Sequence, residues 1–234
     1  MKTFYAKYKH LLPFALYFLV YLTWFAWLEK RSLWGGYQII HMGVDDYIPF
    51  CELFIIPYFL WFLYIPAVVL YLAVTDKNEY WKTAIFLMTG MTVFLLVSTF
   101  LPNGHQLRPR VMPRDNVFTR MVASLYRTDT ATNLWPSIHV YNSLGAHFAL
   151  LHSRLGKKKW IRLSSLALCV SIILATVFLK QHSVFDVITA FILGGAMYRA
   201  VYCYDLPGCL RQLRGRVLVM GRRLRGRKRA ANQD

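Results

Sequence analysis

The chain has 234 residues, 56% of them hydrophobic and 16% aromatic, with 28 Lys and Arg against 11 Asp and Glu and a formal net charge of +17. That length holds one domain with room for a tail, and its apolar runs exclude an ordinary soluble protein. So many bilayer-length runs also set nucleic acid aside as the partner of the positive charge and point to anionic lipid head groups.

The N-terminal MKTFYAKYKH precedes an apolar run, as in a signal peptide. No small-residue cleavage site follows it, and Trp24, Phe25 and Trp27 argue for a retained first span. Six runs reach the roughly 20 residues that a bilayer needs: 11–28, 51–74, 83–101, 136–153, 160–179 and 184–203. The expected fold is therefore all-α, a six-helix transmembrane bundle over residues 1–204 with a basic tail over 205–234. His139, Asn142, His147 and His152 punctuate the fourth run, which is expected to face the bundle interior and not lipid. His147 reads as a buried, hydrogen-bonded histidine.

Between the first two runs, Trp34, Gly35, Gly36 and Tyr37 suggest an interfacial turn. Asp45 and Asp46 precede the second run and read as acidic residues favouring its helix N-terminus. Cys51, Cys169, Cys203 and Cys209 form no CxxC pair and read as small core residues, neither a disulfide frame nor a metal site. Residues 111–134 are long for a connection and read as a lid or a substrate-binding loop. In the tail, Leu206, Leu210, Leu213, Val217, Met220 and Leu224 make one apolar stripe among arginines. The expectation is a basic amphipathic helix on anionic inner-leaflet lipids, with a disordered basic tail as the alternative.

With the N-terminus in the cytosol, 20 of the 28 basic residues fall on inner segments and 8 on outer ones. The bias predicts both termini inside, in a plasma (inner) membrane protein. Residues 102–135 break the trend with five arginines, which an anionic ligand on the outer side would explain. Three polar clusters fall on that same extracytoplasmic side: Arg108 and Arg110 after the third run, Pro136, Ser137 and His139 at the fourth, and Lys180, His182 and Asp186 before the sixth. His105 can line the same site. His182 and Asp186 are four apart and would share a helix face. The carboxylate would accept from Nδ1–H and leave Nε2 a lone pair, although such a pair also serves as a helix cap. Ser137 at a helix start makes an anion site, and arginine is a bidentate phosphate ligand. Together these groups describe phosphoryl transfer without a metal.

The residues PSIH and KQHSVFD resemble the type 2 phosphatidic acid phosphatase superfamily, a six-span membrane fold, over about residues 85–203. That family's pattern is Lys-x6-Arg-Pro, then Pro-Ser-Gly-His, then Ser-Arg-x5-His-x3-Asp. Arg108-Pro109 matches the end of the first element, Pro136, Ser137 and His139 the second, and His182 and Asp186 the third. Ile138 stands in the glycine's place, Leu101 in the lysine's and Thr176 in the arginine's. Lys180 and Arg110 are the candidates to replace the two lost cations. With the upstream DDYIPF, the chain looks most like the branch that includes inositol phosphorylceramide synthases.

The resemblance implies that His182 attacks phosphorus and forms a phosphohistidine, with Asp186 holding it. His139 would act as general acid, then base. Arg108, Ser137 and Lys180, with Arg110, would bind the phosphoryl oxygens. No cofactor is implied, and the histidines lack HExxH spacing, so no metal is expected. Water as acceptor makes a lipid phosphatase and an alcohol makes a phosphotransferase. The non-enzymatic alternative is a membrane protein that only binds a phospholipid. The substrate expected is a membrane lipid phosphate, and nothing in the sequence indicates an oligomeric state.

Overall fold

Hydrocarbon offers backbone N–H and C=O groups no partner, so runs of apolar residues close their hydrogen bonds within helices. The computed structural model describes residues 9–32, 36–209 and 212, and among them every long element is a helix. In chain order these are α1 (Leu12–Ser32), β1 (Gln38–Ile39), α2 (Ile55–Thr75), α3 (Lys77–Phe100), β2 (Asn103–Gly104), α4 (Val117–Thr128), α5 (Ile138–His152), α6 (Lys159–Phe178) and α7 (Val184–Tyr198). A π-helical turn, Arg199–Cys203, continues α7.

Five stretches among the described residues are long and apolar enough to cross a membrane: Lys9–Arg31, Glu52–Thr75, Lys77–Phe100, Lys159–Phe178 and Val184–Cys203. They coincide with five of the six expected spans. The fourth differs. α5 has 15 residues, about 22 Å by helical rise, against a hydrocarbon layer of ~30 Å. α5 packs against α2, α3, α6 and α7 and is the centre of the core. Asn142 and His147 are buried by these neighbours, and His147 Nδ1 lies 2.9 Å from Ser165 Oγ on α6. A helix enclosed this way need not match the bilayer thickness.

The approach of α3 to α5 depends on small residues. A Cβ on Gly90 would lie 2.0 Å from the Tyr141 ring, and one on Gly145 would lie 2.7 Å from Phe86. The gap lets Tyr141 lie flat on Phe86 and donate to the Phe86 carbonyl at 2.8 Å.

At one end of the bundle the connections knit together. β1 pairs with β2 in parallel, Gln38 opposite Asn103. Buried Asn103 accepts from the Leu134 and Trp135 amides at 2.8 and 3.0 Å. The segment 111–134 is not a plain loop, because it contains α4. The Asn116 side chain caps that helix at the Thr119 amide, 2.9 Å away. Arg114 grips Glu52 with two bonds of 2.8 and 2.7 Å. Val122 and Leu125 pack on Ile55, Tyr58, Ala175 and Leu179, so apolar burial holds α4 down. Of the four cysteines, all free, only Cys169 is a core residue; Cys51 is half-buried, and Cys203 and Cys209 are exposed. The interfacial turn expected around Trp34 and the amphipathic tail helix lie outside the described residues, in the first case partly and in the second almost wholly.

Candidate active site

Two helix starts meet where the three polar clusters converge. Ser137 caps α5, its Oγ accepting from the Val140 amide at 3.4 Å, and Pro136 lies just ahead of that cap, not in the first turn. Ser183 caps α7, where the Asp186 carboxylate returns to the Ser183 amide at 3.0 Å. The Ser137 amide donates to the Asp186 carbonyl at 3.3 Å, which ties one start to the other.

His182 therefore precedes the cap of α7 and does not share a helix face with Asp186, as the four-residue spacing suggested. The two still meet, because the capping box turns the carboxylate back. His182 Nδ1 lies 3.3 Å from Asp186 Oδ2 and His182 Nε2 lies 3.4 Å from His139 Nδ1. A carboxylate only accepts, so Nδ1 of His182 carries the proton, and in the neutral imidazole Nε2 keeps the lone pair. That lone pair faces His139, whose Nδ1 must then be the N–H of the contact. Proton positions run in one sense from His139 through His182 to Asp186. Both His182 and Asp186 are buried.

His139 is held by aromatic rings. Tyr58 and Trp61 of α2 lie 4.6 and 4.5 Å from it, centroid to centroid. The Tyr58 hydroxyl donates to Asp129 at 3.1 Å, and burial raises the Asp129 carboxyl above the usual carboxylate range.

Arg108 arrives from the α3–α4 connection. It donates to the Tyr126 and Thr130 carbonyls at 3.3 and 3.1 Å and to the Gln181 side-chain oxygen. Its guanidinium stacks 4.3 Å over the Tyr126 ring. His105 accepts from the Leu107 amide at Nδ1, so Nε2 carries the proton and donates to the Gln181 carbonyl at 2.9 Å. Burial lowers this imidazole to about 4, which matches its neutral form. Thr176 gives no cation, but its carbonyl accepts both the Gln181 and His182 amides, at 2.9 and 3.0 Å. Leu101 is 44% exposed at the end of α3.

Lys180 does not contact the histidines. In a left-handed turn at φ 51°, it donates to the Asp45 carbonyl at 2.7 Å. Burial lowers its ammonium pKa despite the attraction of Asp45 and Asp46. Asp45 accepts from Ser183 Oγ at 2.6 Å, from the Val184 amide at 2.8 Å and from the Met42 amide at 2.8 Å. The helix-start reading of Asp45 thus has the right physics and the wrong helix, since it serves α7 and not α2. A cavity of about 500 Å3 opens beside it, lined by His41, Asp45, Asp46, Gln106 and Lys180 among others. Arg110 is exposed, away from the His pair's contacts. Ser137 is fully buried and its hydroxyl serves the cap.

Tyr58, Trp61, Asp129 and Gln181 join the site without having been expected from residue spacing. A signal existed for two of them: Tyr58 and Trp61 are three apart and so share a face of α2. Asp129 and Gln181 had none, because loop folding brings them in.

Residues 81–206 match the family model of the PAP2 superfamily. No curated protein and no solved structure matches the chain.

Proposed function

The chain belongs to the PAP2 superfamily, whose members are phosphatases or phosphotransferases acting on phosphate esters, and on that premise we propose a membrane-embedded lipid phosphatase working through a phosphohistidine. One observation carries the reading: His182 Nδ1 lies 3.3 Å from the Asp186 carboxylate behind it, while its Nε2 faces a second imidazole 3.4 Å away. The nucleophile would be His182 Nε2, which forms the N–P bond as the bond from phosphorus to the lipid oxygen breaks. His139, entering the step as an imidazolium paired with the substrate anion, gives that oxygen its proton and becomes neutral. Water then attacks the phosphohistidine, His139 takes the proton back, and inorganic phosphate leaves with the His182 lone pair restored. Asp186 stabilises the charge that His182 acquires. Arg108 and the α5 N-terminus receive the phosphoryl oxygens. A gap of 3.4 Å admits a proton but not a phosphorus with its ligands. Substrate binding must therefore part the two rings.

The substrate would be a lipid phosphate monoester or pyrophosphate. The extracytoplasmic placement rests on charge. The basic segments around Lys77–Lys82 and Arg154–Arg162 lie at the helix ends opposite the His pair.

A second reading, transfer to an alcohol head group as in inositol phosphorylceramide synthases, draws support from the polar cavity beside Asp45 and Lys180, which has room for an acceptor. The deciding experiment incubates detergent-purified protein with a panel of lipid phosphates, with and without candidate alcohols and with a chelator. Free phosphate that persists under chelation supports the phosphatase, and head-group exchange supports the transferase. Lipid binding without turnover, unchanged in His182→Ala, would contradict both.

A further inference from the structure

Gln181 lies one residue before His182 and is 1% exposed. Its main chain is fixed on both sides, by Thr176 at the amide and His105 at the carbonyl. Its side-chain oxygen accepts from Arg108 Nη2. Arginine only donates, so the amide cannot be reversed, and Nε2 must face away from the guanidinium. That NH2 group is buried and has no partner among the described residues. The same holds for Arg108 Nε. Two bonded neighbours thus each keep a buried donor unused, beside the residue with the free lone pair. Buried donors almost always find an acceptor, and here the rest of both groups is already anchored.

From this geometry we infer that Gln181 is a phosphoryl-binding residue: its Nε2–H and Arg108 Nε–H donate to the non-bridging oxygens of the substrate. The inference rests on the phosphoryl-transfer reading above. It also accounts for Thr176. The side chain at that position offers no cation and its hydroxyl is turned to the Ile173 carbonyl at 2.7 Å, so donor capacity is supplied by the amide five residues on. A neutral donor replaces a charged one and is preorganised by Arg108 and the fixed main chain.

The test uses full-length protein in detergent and orthovanadate, a five-coordinate mimic of the transferring phosphoryl group. Gln181→Glu is the informative variant. It keeps an acceptor for Arg108 and removes the donor. If Gln181 only anchored Arg108, this change would be tolerated. The expected result is an unchanged unfolding temperature and vanadate affinity about 10–100-fold weaker, the usual effect of losing a hydrogen bond to a charged group. Gln181→Leu should lose a similar factor and also unfold earlier, because it strands Arg108. Wild-type affinity in either folded variant overturns the inference while leaving the parent reading intact. Wild-type protein that binds no vanadate and releases no phosphate from any lipid overturns both.

Discussion

For single side chains, what matters is where the protons sit. Asp186→Asn should keep the α7 cap, since the amide oxygen can still accept from Ser183, yet free His182 to adopt the wrong tautomer. Phosphate release is expected to fall by at least about 100-fold with little change in unfolding temperature. Equal losses of both would make Asp186 a cap and nothing more. His105 gives a pH prediction with a definite sign. Its folded pKa, about 4, lies below its unfolded value near 6.5. The unfolded chain therefore binds the extra proton between those two pH values, and stability from this group is full above pH 6.5 and falls as pH drops toward 4. The penalty for charging it is on the order of 3 kcal/mol. Unfolding temperatures of the wild type and His105→Gln across pH 4–7 should converge toward the acid end; parallel curves would contradict the assignment. The residue scale is also where the sequence was most legible. That His139, His182 and Asp186 meet was readable from the clustering of polar residues at span ends, although the helix face expected for His182 and Asp186 is a capping turn instead. Gln181 was not readable, since its meaning lies in a buried amide with one side used, and Asp45 was misread because its partner Ser183 is 138 residues away.

Among elements, α5 and the start of α7 bear the site. Gly90→Ala would drive a Cβ into the Tyr141 ring, 2.0 Å away, and shift the helix that begins beside His139. Overpacking of this kind costs about 1–3 kcal/mol, so both unfolding temperature and turnover should drop. A neutral result would mean that α3 and α5 are less closely opposed. Asp45→Ala removes the acceptor for three donors, two of them at the α7 start. The expected loss is several kcal/mol together with turnover, and Asp45→Asn should restore part of each. Five spans were legible from length and hydropathy, because a helix facing lipid must be apolar along its whole length. α5 sits in the bundle interior as its polar residues led one to expect, and differs only in length: covered by protein and not by lipid, it can stop at 15 residues. The α4 pattern, with Val117, Phe118, Met121, Val122 and Leu125 on one side, is present in the segment read as a lid or a substrate-binding loop.

For the whole molecule, the helices separate two unlike ends. The His pair, Arg108 and the cavity beside Asp45 occupy one; the turns at Asp76 and at Ser153–Lys158 occupy the other. If charge sets the orientation, Arg110→Cys, at an exposed position near the site, should react with an impermeant maleimide on intact cells. Cys203 and Cys209, exposed at the opposite end, should react only after permeabilisation. The reverse pattern would turn the site toward the cytosol. In the proposed reaction a single imidazole, His182, takes the phosphoryl group. The most direct measurement is rapid-quench labelling with a 32P-labelled lipid phosphate, followed by mapping of the label. The account predicts an acid-labile, alkali-stable label on His182 in the wild type, and in His182→Ala neither label nor phosphate release. Turnover by His182→Ala, or a label mapped to another residue, would contradict it.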